Sequence, residues 1–106
     1  MSFQLTSKNI TLVDGHILSA KCQAADGHWQ DASLDLDQFL GNEDGSFDFE
    51  GVNFSETAQN ARIQADQANV SIVARLQRRD GSWADAPAVN LSERIENQNG
   101  ELVLLY

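Results

Sequence analysis

The stretch GNEDGSFDF, residues 41–49, sets Asn42 and Asp44 one residue apart and follows them directly with Gly45. A calcium loop also places acids and amides at alternate positions ahead of a turn glycine, and it closes on a glutamate. With Gly45 as that glycine, Leu40 would take the first ligand position and Gly51 the closing carboxylate, so the calcium reading fails. Glycosidic cleavage needs two carboxyl groups at a set separation. With 16 acidic residues pairs are always available, and no local signature selects one. Cys22 could act as a nucleophile only in an electropositive, accessible setting with a base nearby, and it falls on the apolar face of an alternating segment. His16 and His28 flank turn glycines and match neither a metal-ligand spacing nor an oriented catalytic pair, so both read as surface turn residues. Polar recognition remains. Asn42, Asp44, Asn53, Glu56, Thr57 and Arg79 offer convergent donors and acceptors to a hydroxyl-rich ligand if the turns that carry them meet. No metal, cofactor or catalytic residue is implied.

The elements that would bring those turns together come in two copies. LSAKCQAADGHWQDA, starting at Leu18, repeats as IVARLQRRDGSWADA, starting at Ile72, with Ala20/Ala74, Gln23/Gln77, Asp26/Asp80, Gly27/Gly81, Trp29/Trp83, Asp31/Asp85 and Ala32/Ala86 identical. One extra residue near Pro87 shifts the register, after which Leu36 meets Leu91, Leu40 meets Ile95, Asn42 meets Asn97 and Gly45 meets Gly100. Upstream, Phe3 meets Phe54, Thr6 meets Thr57 and Asn9 meets Asn60, the difference being a longer turn around ADQAN in the second copy. Two units are too few for a solenoid, so a pseudo-symmetric pair closing one core is expected.

Each copy reads as strands and turns. Leu18, Ala20, Cys22 and Ala24 alternate with Ser19, Lys21 and Gln23, and Val70, Ile72, Ala74 and Leu76 form the matching inner face. Asp14-Gly15, Asp26-Gly27, Asp44-Gly45, Asp80-Gly81 and Asn99-Gly100 supply hairpin turns. LDLDQFLGN and VNLSERIEN each read as a strand end entering a short helical turn, giving an all-β chain with minor 3₁₀ content. Trp29 and Trp83 could stack on a sugar ring, but their shared strand position favours packing in or at the edge of the core.

Composition narrows the partners. A chain of 106 residues is enough for one domain, and 42% apolar with 22% charged residues fits a packed globular protein. A net charge of −9 argues against nucleic acid, whose phosphates need Lys and Arg, and against anionic membrane surfaces. MSFQLTSKNI has neither a basic nor an apolar leader segment, no run reaches membrane-spanning length, and one cysteine allows no internal disulfide. A cytoplasmic location is the expectation, in which case the sequons at Asn9, Asn53, Asn69 and Asn90 stay unmodified.

The full run of motifs, LSAKCQAADGHW, then L-D-L-x-x-x-L-x-N-x-D-G-x-F from Leu34, then N-F-x-E-T from Asn53, resembles the cyanovirin-N homologue family of small lectins across essentially the whole chain. That resemblance implies two pseudo-symmetric lobes, each a three-stranded sheet with a β-hairpin, in which strands exchange between repeats. Lobe A would comprise about residues 1–38 with 94–106, and lobe B about 39–93. It implies a non-enzymatic protein that binds mannose-containing oligosaccharides or glycoproteins, with terminal α1-2-linked mannose of high-mannose glycans recognised chiefly in lobe B. The implied lobe B residues are Asn42, Asp44, Asn53, Glu56, Thr57, Gln77 and Arg79. Gly41, Val52 and Gly81 depart from the family's more polar pattern. The lobe A counterparts are Ser2, Thr6, Gln23, Ala25, Asn97 and Asn99, with Ala25 and Leu5 where the charged Arg and Glu would stand. Family disulfides correspond to Ser7 with Cys22 and Ala58 with Leu76, so both are lost. A monomer able to form a strand-swapped dimer is expected. The alternative is a protein-interaction module on the same fold with little or no glycan binding.

Overall fold

The computed structural model describes residues 6–65 and 69–105. It is all-β, elongated to 50 × 22 × 22 Å. The first repeat forms an antiparallel sheet of β1 (Ser7–Val13), β2 (Ile17–Gln23) and β3 (Trp29–Asp35). A 3₁₀ turn at Leu36–Gln38 then leads into a short hairpin of β4 (Gly41–Glu43) and β5 (Ser46–Asp48). The second repeat begins with a 3₁₀ turn at Phe54–Thr57 and builds β6 (Ala58–Ala65), β7 (Val70–Gln77), β8 (Trp83–Asp85) and β9 (Val89–Asn90). Its hairpin is β10 (Ile95–Gln98) with β11 (Glu101–Leu104).

The hairpins are exchanged. Asn42 on β4 is bonded to Thr57 and to the end of β7, whereas Asn97 on β10 is bonded to Thr6 and to the end of β2. The side chain of Gln30 on β3 donates to the Gly100 carbonyl in the turn between β10 and β11. Lobe A is therefore β1–β3 closed by the second repeat's hairpin, and lobe B is β6–β9 closed by the first repeat's hairpin.

Local chemistry explains the turns. Asp14-Gly15, Asp44-Gly45 and Asn99-Gly100 have positive φ at both residues, as a two-residue type I′ hairpin requires. Asp26-Gly27 and Asp80-Gly81 differ, because only the glycine has positive φ. There the Gly27 amide donates to the Ala24 carbonyl at 3.0 Å and the Gly81 amide to the Arg78 carbonyl at 2.9 Å, closing longer loops with glycine in the left-handed position. Asn9 and Asn60, equivalent residues, share a φ near 55° and mark bulges where the β1–β2 and β6–β7 registers slip. The third strand is continuous in lobe A but split into β8 and β9 in lobe B. The break falls at the extra residue near Pro87, which has no N–H to give the ladder. The ADQAN turn lies largely outside the described residues.

The core runs through both lobes, and its fully buried members come largely in equivalent pairs: Leu18/Ile72, Cys22/Leu76, Leu36/Leu91 and Leu40/Ile95. Each such side chain contributes about 1.5–3 kcal/mol by leaving water. Phe54 is also fully buried, with Phe47 packed edge-on against it at 5.5 Å between ring centroids. Gly41 sits where β4 crosses Gly51 and Val52, and a Cβ there would lie 2.8 Å from the Gly51 Cα and 2.9 Å from the Val52 nitrogen. Both obstacles are backbone, so glycine at this position is enforced by close approach.

The expectation of core burial is wrong for Trp29. Pairing of Gln23 with Trp29 puts that ring on the outer face of the sheet, opposite Cys22, where it is 42% exposed with the Lys8 Nζ 4.3 Å above it. Trp83, opposite Gln77, is half-buried. Symmetry carries the strand position of the two rings and leaves their burial to neighbouring side chains.

Candidate carbohydrate-binding site

Asn42 is the hub of the lobe B cluster. Its Nδ2 donates to Thr57 Oγ1 and to the Gln77 carbonyl, each at 2.8 Å, and its Oδ1 accepts from the Gly45 amide at 2.8 Å. One side chain thus pins the hairpin turn to the 3₁₀ turn and to the end of β7. Gln77 uses its own Nε2 to reach the Gly81 carbonyl at 3.3 Å. Asp44 Oδ1 accepts from the backbone amide of Arg79 at 3.0 Å, which draws the β7–β8 loop over the hairpin tip. The Arg79 guanidinium pairs with Glu43, and both side chains are well exposed.

Asn53 and Glu56 stand on the 3₁₀ turn that ends at Thr57, both exposed. Asn53 holds a left-handed conformation at φ 60°, and its side chain makes no capping bond. Neither side chain has a protein hydrogen-bond partner among the described residues, and Asn53 is anchored by its amide, which donates to the Asp37 carbonyl at 2.8 Å. The turn therefore presents an amide and a carboxylate beside the Asn42–Thr57 junction. Val52, 57% exposed, adds an apolar edge.

Lobe A repeats the scaffold almost bond for bond. Asn97 Nδ2 donates to Thr6 Oγ1 at 2.9 Å and to the Gln23 carbonyl at 3.0 Å, and Asn97 Oδ1 accepts from the Gly100 amide at 2.8 Å. Asn99 Oδ1 accepts from the Ala25 amide at 2.9 Å, as Asp44 does from Arg79, and Gln23 Nε2 reaches the Gly27 carbonyl at 3.4 Å. Ser2 and Leu5 lie outside the described residues.

Comparing the lobes separates two classes of residue. Asn42, Thr57 and Gln77 have counterparts in Asn97, Thr6 and Gln23 with the same bonds, so they shape the hairpin anchor in either lobe. What lobe A lacks is charge: Asp44 is matched by Asn99, Arg79 by Ala25 and Glu43 by Gln98. Glu43 was not a candidate from sequence, because nothing in the chain's order reveals that it faces Arg79 across 36 positions. Charged groups make shorter and stronger bonds to hydroxyls than neutral ones. Arranged around a rigid anchor, these charges suit a ligand rich in hydroxyls, and the architecture is a small two-lobed, strand-exchanged all-β fold.

Known proteins agree. A family model described as the CVNH domain matches residues 3–103. A cyanovirin-N homologue of Neurospora crassa is 41% identical over 95% of this chain and 96% of its own. Among solved structures, the CVNH of Gibberella zeae is 42% identical with a TM-score of 0.86, covering 98% of this chain and 97% of that one. A complex of microvirin with mannobiose is 34% identical with a TM-score of 0.86, covering 98% of both chains. The chain belongs to the cyanovirin-N homologue family, a family of lectins rather than enzymes.

One further cluster surrounds His16, which lies in a turn as expected but is half-buried and paired to Asp35 rather than on the open surface. Cys22 is buried beside Ser7, and burial raises its thiol pKa above the ordinary value, in line with an inert core residue.

Proposed function

We propose that this protein binds high-mannose glycans ending in α1-2-linked mannose, and that it does so chiefly through lobe B. In this reading residues 39–93 form the binding lobe, and residues 1–38 with 94–106 form a partner lobe whose hairpin anchor lacks the charges. The observation that carries the reading is the contrast between two near-identical anchors, one with Glu43, Asp44 and Arg79 and the other with Gln98, Asn99 and Ala25 at the same positions. The likeness to microvirin, solved with mannobiose, supports the choice of sugar. Asp44 and Glu56 accept bonds from mannose hydroxyls, Arg79 donates, and Asn53 orients the ring from the 3₁₀ turn. Asn42, Thr57 and Gln77 hold these groups in place.

Asp44→Asn tests the division of roles. Asn99 shows that an amide can hold the neighbouring loop just as well, so the variant keeps the fold and loses only the charged acceptor. Removing a charge-assisted bond costs about 1.5–3 kcal/mol, and affinity for α1-2-linked mannobiose is expected to fall about 10- to 100-fold. Calorimetry on wild type and variant, with thermal melts as control, decides it. An unchanged affinity at unchanged stability would show that Asp44 does not contact sugar.

A further inference from the structure

We propose that His16, Asp35 and Asp37 form a proton-dependent clasp that positions the Asn53–Thr57 edge of the lobe B cluster, so that sugar affinity follows the charge on His16. The inference rests on the assignment of that edge to sugar binding.

The clasp lies where the chain passes from the first repeat to the second. His16, in the turn between β1 and β2, sets its Nδ1 2.8 Å from Asp35 Oδ1 and 3.5 Å from Asp37 Oδ2. A carboxylate oxygen can only accept here, so Nδ1 carries the hydrogen. The same Asp35 oxygen accepts from the Asp37 amide at 3.0 Å, fixing the first 3₁₀ turn. Asp37 then reaches forward. Its Oδ1 accepts from the Ser55 amide at 3.0 Å, its other oxygen accepts from the Ser55 hydroxyl, and its carbonyl accepts from the Asn53 amide at 2.8 Å. One carboxylate therefore faces the imidazole on one side and holds the turn bearing Asn53, Glu56 and Thr57 on the other.

The second repeat shows that this charge is not needed to build the junction. There Asn90 Oδ1 accepts from the Ser92 amide at 2.9 Å, as Asp35 does from Asp37. Asn90 Nδ2 donates to Asn69 Oδ1 at 2.7 Å, and Ser92 Oγ accepts from the Val70 amide at 3.1 Å. Neutral groups close that junction, and in strand register Val70 stands where His16 stands. The ionisable set of His16, Asp35 and Asp37 stands at the junction that leads into the charged cluster of lobe B.

The sign of the pH dependence follows from the surroundings. The hydrogen bond to Asp35, with the negative charges of Asp35, Asp37 and Asp14, raises the His16 pKa above its ordinary value of 6.5 against the smaller opposing effect of burial. No Lys or Arg pairs with Asp35 or Asp37 among the described residues. The His16 hydrogen bond is also the main reason that Asp35 is held below its ordinary value of 3.8. A histidine raised in the folded state contributes fully below 6.5 and loses that contribution as pH rises through its folded pKa. A carboxylate lowered in the folded state contributes above 3.8 and loses it as pH falls through its folded pKa. The clasp is thus tightest between those limits and loosens on the alkaline side of His16.

Amide spectra of the intact chain, recorded without sugar from about pH 5 to about pH 9, test the coupling. Asn53 and Ser55 are expected to shift with the same midpoint as the His16 ring, above 6.5. In His16→Asn, which keeps an N–H donor without a titrating charge, that shared transition disappears while the fold stays intact. A parallel titration with α1-2-linked mannobiose is expected to weaken by about fivefold across the wild-type midpoint and to stay level in His16→Asn. Amides of Asn53 and Ser55 that ignore the His16 transition would overturn the clasp, as would an affinity independent of pH. Mannobiose that fails to bind at any pH would overturn the sugar assignment instead, leaving the sugar-free spectra to judge the coupling.

Discussion

Asn42→Ala is expected to cost the fold about 2–4 kcal/mol, lowering Tm on the order of 10–20 °C. The side chain makes three bonds, to Thr57 Oγ1, the Gln77 carbonyl and the Gly45 amide, all at part-buried positions. Truncation leaves each partner without its bond, and an orphaned buried polar group costs about 1–3 kcal/mol where water cannot replace the loss. Sugar affinity falls with it, because the hairpin tip that carries Asp44 is no longer fixed to the 3₁₀ turn. Asn97→Ala supplies the matching case. It breaks the same bonds in lobe A, so it is expected to destabilise the chain by a similar amount while leaving mannobiose affinity unchanged. Urea unfolding and calorimetry on the pair check both halves. Asn42→Ala at wild-type stability would mean that the anchor is not what holds the hairpin.

Ser7→Cys is expected to work in the opposite direction. Ser7 and Cys22 are register partners on β1 and β2, with Oγ and Sγ 3.3 Å apart, so a second thiol would face the first directly. The bridge would close a loop spanning 15 residues, for which chain entropy gives about 3 kcal/mol. The raised pKa of Cys22 keeps its thiolate scarce, so bridging is slow without an oxidant. Melts of the variant should show the gain after oxidation and lose it with dithiothreitol, while wild type is indifferent to both. A variant that oxidises without gaining stability would show that the bridge strains the β1–β2 pair. Today the site is held by packing and by the Ser7–Cys22 contact.

Much of this architecture is legible in the sequence because the repeat is. The pairing of Asn42 with Asn97, Thr6 with Thr57 and Gln23 with Gln77 marks equivalent positions in the two repeats, and the structure gives them the same bonds, whereas the extra residue near Pro87 shows in the sequence only as a change of register and not as the split of the third strand. What the repeat cannot convey is which polar residues spend their capacity on the protein itself. Asn42, Thr57 and Gln77 look like ligand contacts in a motif and are largely consumed by the scaffold. That depends on bonds spanning 15 and 35 positions. The pairing of His16 with Asp35 and of Glu43 with Arg79 is hidden for the same reason. Trp29 shows a second limit, since equal strand positions in the two repeats do not give equal burial.

Mapping amide shifts of the wild-type chain during titration with α1-2-linked mannobiose bears most directly on the assignment of sugar binding to lobe B. Saturating shifts are expected around residues 42–44, 53–57 and 77–79, with the lobe A anchor around residues 23–25 and 97–99 left in place. Shifts confined to that lobe A anchor, or no saturating shifts in either lobe, would contradict it.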